Sequence, residues 1–94
     1  MNLTEEIKKL AEAYNELLWN NFEKCFQPVE INDEILKIIP KDILNVLVTL
    51  LGIDETKVWV CRNLKALDNN TVQELVKSEI GVKALKMFIL SMPN

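Results

Sequence analysis

Between Pro40 and Gly52 the chain holds Ile43, Leu44, Val46, Leu47, Val48, Leu50 and Leu51, apolar on almost every side of a helical wheel. A helix of that kind has no solvent face, so the rest of the chain has to wrap around it. Pro40 suits the start of a helix, where its missing N–H costs nothing, and Asp42 places an acid in the first turn. Gly52 is well placed to end the run as a C-cap. The Ile and Val content would also suit a buried strand, but the flanking segments repeat at helical intervals and offer no partner strand. The expected architecture is all-α, a single compact domain of five or six short helices spanning residues 1–94, with this third helix at its centre.

The remaining elements follow from spacing and caps. Thr4 precedes Glu5 and Glu6 as an N-cap, and Ile7, Leu10, Ala11, Tyr14, Leu17, Leu18, Phe22 and Cys25 recur every three or four residues. That stripe predicts one helix to about Phe26, stopped by Pro28, with Trp19 just beside the stripe on a partly exposed edge. Asn32, Asp33 and Glu34 cap a short second helix holding Ile35, Leu36, Ile38 and Ile39. A fourth helix is expected from Glu55 to Arg62, capped by Asp54, with Val58, Trp59 and Cys61 inward. Asp68, Asn69 and Asn70 form a turn, and Asn70 or Thr71 caps a fifth helix through Ser78. Ser78 and Glu79 open the last helix, striped by Val82, Leu85, Phe88 and Ile89 until Pro93. Residues 1–52 thus form an N-terminal set of helices and residues 53–94 a C-terminal segment.

Composition removes several functions. With Gly52 and Gly81 as the two glycines, no Gly-rich loop exists to bring backbone close to a phosphate. Without histidine the usual proton shuttle and the commonest metal ligand are missing. The acid pairs Glu5/Glu6, Asp33/Glu34 and Asp54/Glu55 each sit at a helix start, where the dipole accounts for them. No Ser-x-x-Lys spacing offers a base to a nucleophile. The expectation is a non-enzymatic protein with no catalytic residue, no cofactor and no metal. Residues 1–52 carry five Lys against nine acids, and residues 53–94 six basic residues against five acids. No cluster of three basic residues occurs, which argues against nucleic acid as a partner of this chain alone.

Cys25 and Cys61 fit no metal spacing and lie among apolar neighbours, so both are expected as buried thiols. The N-terminus lacks the basic start and apolar run of a signal peptide, and the stretch Ile43 to Leu51 is too short to span a bilayer. A cytoplasmic protein without membrane contact is expected.

The segment from Leu51 onward carries the most specific signal: Trp59, then Ala66-Leu67, a polar turn, Thr71, Glu74-Leu75, Glu79 and Gly81, followed by the apolar stripe of the last helix. Each has a physical reading of its own. Trp59 is an anchor for the fourth helix, Leu67 tucks a loop inward, Thr71 and Glu74 make a capping box, and Gly81 permits close approach of a neighbouring segment. In this register, ungapped from Trp59 to Ile89, the segment resembles the toxin-binding domain shared by the Xre, MbcA and ParS antitoxins. That pattern has a Gly-Gly turn where Asp68-Asn69 stands here, and a Pro after the Thr where Val72 stands. Asn and Asp tolerate left-handed backbone, so the turn is expected to survive.

The resemblance implies an antitoxin-like protein that sterically blocks a cognate toxin of the RES or ADP-ribosyltransferase-like type, which uses NAD. It implies a partner-binding face on the last helix and C-terminus, at Lys83, Lys86, Met87, Met92 and Asn94. A different class of function needs only spare apolar surface: a self-assembling or adaptor module of viral or plasmid origin pairing through Trp19, Phe26, Val29 and Ile31. A weaker alternative is a DNA-binding regulator with the second and third helices as a helix-turn-helix, for which the apolar third helix has few polar side chains to offer bases.

Overall fold

The computed structural model of the chain describes residues 4–25, 34 and 36–91. Among them lie the α-helices α1 (Glu5–Ala13), α2 (Glu16–Glu23), α3 (Lys41–Leu51), α4 (Ile53–Cys61), α5 (Val72–Leu75) and α6 (Glu79–Leu90). Two 3-10 turns occupy Leu36–Ile38 and Lys65–Leu67, and extended pairing among the described residues is confined to an isolated bridge between Leu64 and Asn70. The fold is all-α, as the periodicity requires.

α3 is buried through residues 43–47, but it is not enclosed on every side: Lys41 and Thr49 are exposed and Val48, Leu50 and Leu51 half-buried. Ile43, Leu44, Asn45, Val46 and Leu47 are all buried, and within the first turn Asp42 Oδ1 accepts the Ile43 N–H at 2.9 Å. Around it Ile7, Trp19, Leu36, Val60, Leu67, Leu75, Leu85 and Ile89 complete one continuous core. Gly52, at φ 83°, closes α3 by donating its N–H to Val48 O at 2.8 Å and at once opens α4. The predicted Asp54 cap is therefore displaced: Gly52 takes the capping position, and Asp54 and Glu55 are first-turn acids. Thr56, fully buried, satisfies its hydroxyl by donating to Gly52 O at 2.7 Å.

The first predicted helix is two helices. The chain leaves α1 at Tyr14 with extended backbone (φ −60°, ψ 132°) and restarts at Asn15, whose side chain accepts the Leu18 N–H at 3.1 Å. This break shifts the helical phase of everything beyond it. Leu17 and Leu18, placed in the stripe by spacing, stand 69% and 59% exposed, while Trp19, expected on an exposed edge, is fully buried. Burying the indole recovers a large apolar area, and the Asn15 cap satisfies an end that a continuous helix would not have had. Phe22 packs beside Trp19 with ring centroids 6.1 Å apart.

Phase also corrects α4 and the thiols. Thr56 and Val60 face the core, Trp59 is half-buried, and Val58 and Cys61 point to solvent. Cys25, just beyond α2, is likewise exposed, so neither cysteine is the buried hydrophobe expected of it. Of the predicted second helix the structure shows the 3-10 turn with Leu36 and Ile39 buried; Asn32, Asp33 and Ile35 lie outside the described residues. α5 ends at Leu75 rather than Ser78, because Ser78 caps α6 by accepting the Gly81 N–H at 3.0 Å. No helix among the described residues is long and apolar enough to cross a membrane.

Candidate protein-binding face

The motif positions between Trp59 and Ile89 condense into one connected structure. Asp68 and Asn69 both adopt left-handed backbone, at φ 55° and 62°, in the place where the antitoxin pattern has two glycines. Short polar side chains tolerate that region at modest cost. The turn is tied inward by Asn70, which donates from Nδ2 to Leu67 O at 3.0 Å, and outward by Thr4, whose hydroxyl donates to Asp68 Oδ2 across the sequence. Leu67 is fully buried and Ala66 exposed.

Thr71 then caps α5. Its Oγ1 accepts the Glu74 N–H at 3.2 Å, and Glu74 Oε1 accepts the Thr71 N–H at 3.0 Å, the reciprocal pair expected of a capping box. Thr71 also donates its hydroxyl to Glu74 Oε1 at 3.2 Å, and the two bonds it donates to that carboxylate, backbone N–H first and hydroxyl second, hold the Glu74 carboxyl below its ordinary value. Leu75 is buried, and its carbonyl meets the first turn of α6 at Gly81. A Cβ at position 81 would collide with that carbonyl oxygen and lie 2.8 Å from its carbon, so the close approach expected of this glycine is a backbone contact between α5 and α6. Trp59 anchors α4 on α6 by stacking on Phe88, centroids 6.4 Å apart and planes 15° apart.

The proposed partner-facing residues separate. Lys83 is exposed and Met87 half-buried; Met92 and Asn94 lie outside the described residues. Lys86 is not a surface lysine. Its side chain is 16% exposed, and Nζ lies 3.0 Å from Asp42 Oδ2, 5.6 Å from the Tyr14 ring centroid and 5.4 Å from that of Trp19. An ammonium over two aromatic faces and against a carboxylate is stabilised three ways, which is why the helical stripe draws this lysine inward. Trp19 Nε1 donates to the same Asp42 oxygen at 2.8 Å. Burial raises the Asp42 pKa, but these two partners and the Ile43 N–H outweigh it and hold the carboxyl below its ordinary value.

Beside this cluster, α1, the α1–α2 elbow and the start of α6 enclose a groove. One hollow of about 410 Å³ is lined by residues including Glu16, Lys77, Glu79 and Val82. A second, of about 530 Å³, is lined by Lys8, Ala11, Glu12 and Ile80. The two meet at Tyr14 and Lys83, which line both. The Tyr14 hydroxyl is buried with no hydrogen-bond partner among the described residues. Spacing assigned Tyr14 to the core and gave no sign of this groove, because the groove depends on how α6 packs beside α1 and on the break after Ala13. The one local signal was Asn15, a residue that favours helix starts, in the middle of an apolar stripe.

The alternative surfaces fare differently. Trp19, the centre of the proposed self-pairing patch, is inside the protein, and Phe26, Val29 and Ile31 lie outside the described residues. α3, as a recognition helix, would expose Lys41 and Thr49 and bury its middle. Among the described residues no group of three or more Cys, Asp or Glu side chains stands where it could hold a metal ion. Comparison with protein-family models, with curated proteins and with solved structures finds no match to the chain. The resemblance over residues 59–89 therefore rests on the motif positions in the sequence alone.

Proposed function

We propose that the chain is a non-enzymatic, antitoxin-like binding protein of the cytoplasm that neutralises a partner toxin by covering its active-site cleft. The toxin class implied by the resemblance is a RES or ADP-ribosyltransferase-like enzyme that uses NAD. What supports the reading is the connected turn from Asp68 to Gly81: the left-handed pair, the Thr71–Glu74 capping box and the glycine seated on the Leu75 carbonyl all occur in the order the antitoxin pattern has them. Steric blockage needs a rigid helical face rather than a catalytic group, and α6 offers one around Lys83.

The test is the product of the reading frame adjacent to this one. Expressed alone it should arrest growth and deplete NAD, and co-expression of this chain should restore both. A harmless neighbour, or a harmful one that this chain neither binds nor rescues, overturns the reading. Lys83→Glu should weaken binding about tenfold if the lysine meets an acidic rim on the toxin.

A further inference from the structure

We propose that the groove between α1, the α1–α2 elbow and the start of α6 is closed by a second copy of the chain in a two-fold symmetric dimer. A two-fold interface brings one patch against itself, so the patch has to carry both halves of every attractive pair. The groove does so. Lys8, Lys77 and Lys83 face it together with Glu12, Glu16 and Glu79, three charges of each sign on a protein whose net charge is −3. No ion pair joins any two of these six residues within the chain. The remaining cation of the groove, Lys86, is already committed to Asp42.

Two further observations fall on the same face. The Tyr14 hydroxyl, a buried donor without an acceptor among the described residues, gains one when a glutamate of the facing copy enters the groove. Ile80, which lines the second hollow beside Ala11, is 38% exposed, and Val82 lines the first. They supply apolar area beside the balanced charges, the mixture found where an apolar centre is ringed by a polar rim. An acidic partner would be repelled by the three glutamates and a basic one by the three lysines; a second copy satisfies both sets. The proposal does not depend on the antitoxin reading, but Lys83 is common to both faces, so a toxin and a second copy would compete for it.

Sedimentation equilibrium of the full chain from micromolar to millimolar concentration tests the idea. The expected result is a mass rising from monomer to dimer, with the transition moving to higher concentration as salt is added. Lys83→Glu should raise the dimer dissociation constant about tenfold or more. Mixing Lys83→Glu chains with either Glu12→Lys or Glu16→Lys chains should recover dimer that neither variant forms alone, because the swapped charges attract only across unlike copies. Circular dichroism confirms that each exposed-site variant remains folded. A chain that stays monomeric at millimolar concentration overturns the proposal and leaves the groove to a different partner. A dimer insensitive to Lys83→Glu, or one that neither charge swap recovers, also overturns it, by placing the interface elsewhere.

Discussion

Asp42 and Lys86, 44 positions apart in sequence, meet at 3.0 Å and tie α3 to α6, and Trp19 of α2 donates to the same carboxylate oxygen. One acceptor thereby holds three helices in register. The pair is partly accessible, with 34% of the Asp42 side chain exposed, so its charge attraction is screened and the geometry matters more than the Coulomb energy. Asp42→Ala should destabilise the chain by about 2 kcal/mol, because the buried indole N–H loses its acceptor along with the ion pair. Asp42→Asn, which keeps an acceptor, should cost less. Urea unfolding followed by Trp fluorescence measures both, and equal losses would show that the indole bond contributes nothing.

Acid should loosen the same junction. The Asp42 carboxyl lies below its ordinary value of 3.8 and that of Glu74 below 4.5, so both groups bind protons more readily in the unfolded chain. Their contribution is fully present above those ordinary values and is lost as pH falls through the lower, folded ones. Stability should be level near neutrality as far as these groups are concerned and fall as the pH drops below about 4. In Asp42→Asn the acid decline should be shallower, which a series of urea titrations across acid pH would register.

Gly81 gives the sharpest stability prediction. Its missing Cβ is where the Leu75 carbonyl sits, and a backbone atom cannot swing aside as a flexible side chain can. Gly81→Ala should cost about 2 kcal/mol or more, despite the better helix propensity of alanine, by forcing α5 off α6. Gly52→Ala should also destabilise, but for a different reason: nothing crowds that position, and the cost is the positive φ. Thermal unfolding should show both variants destabilised and neither rescued by trimming a neighbouring side chain. Shortening Leu75 to Ala should not rescue Gly81→Ala, because the clash is with backbone.

Tyr14→Phe should leave the monomer as stable or raise its stability by about 1 kcal/mol, since it deletes a buried hydroxyl that has no partner among the described residues. The Lys86 ammonium keeps an aromatic face in the variant. A loss of more than 1 kcal/mol in dilute solution would show that the hydroxyl is bonded after all, for example to ordered water.

Much of this protein was legible along the chain because it depends on neighbours three or four residues apart. The Thr71–Glu74 capping box, the left-handed turn at Asp68-Asn69, the Gly52 stop and the Ser78 start are all set by local spacing and local hydrogen bonds. The phase of the helices was not. The stripe from Ile7 to Cys25 supports a single straight helix as well as a broken one, and the choice rests on whether Trp19 can reach Asp42 and Phe22 in the core. Cys61 and Val58 turned outward for the same kind of reason: Thr56 and Val60 fitted the available space on α4. Lys86 shows the limit most plainly. By spacing it belongs to a solvated face suited to a partner; in the fold it lies over two aromatic rings and against a carboxylate. Sequence alone determined that the chain is helical and placed the caps at Thr4, Gly52, Thr71 and Ser78, since those are short-range properties. Tertiary structure decided which face each helix buries and which charges remain free for a partner, because those depend on groups brought together from 20 to 70 residues apart.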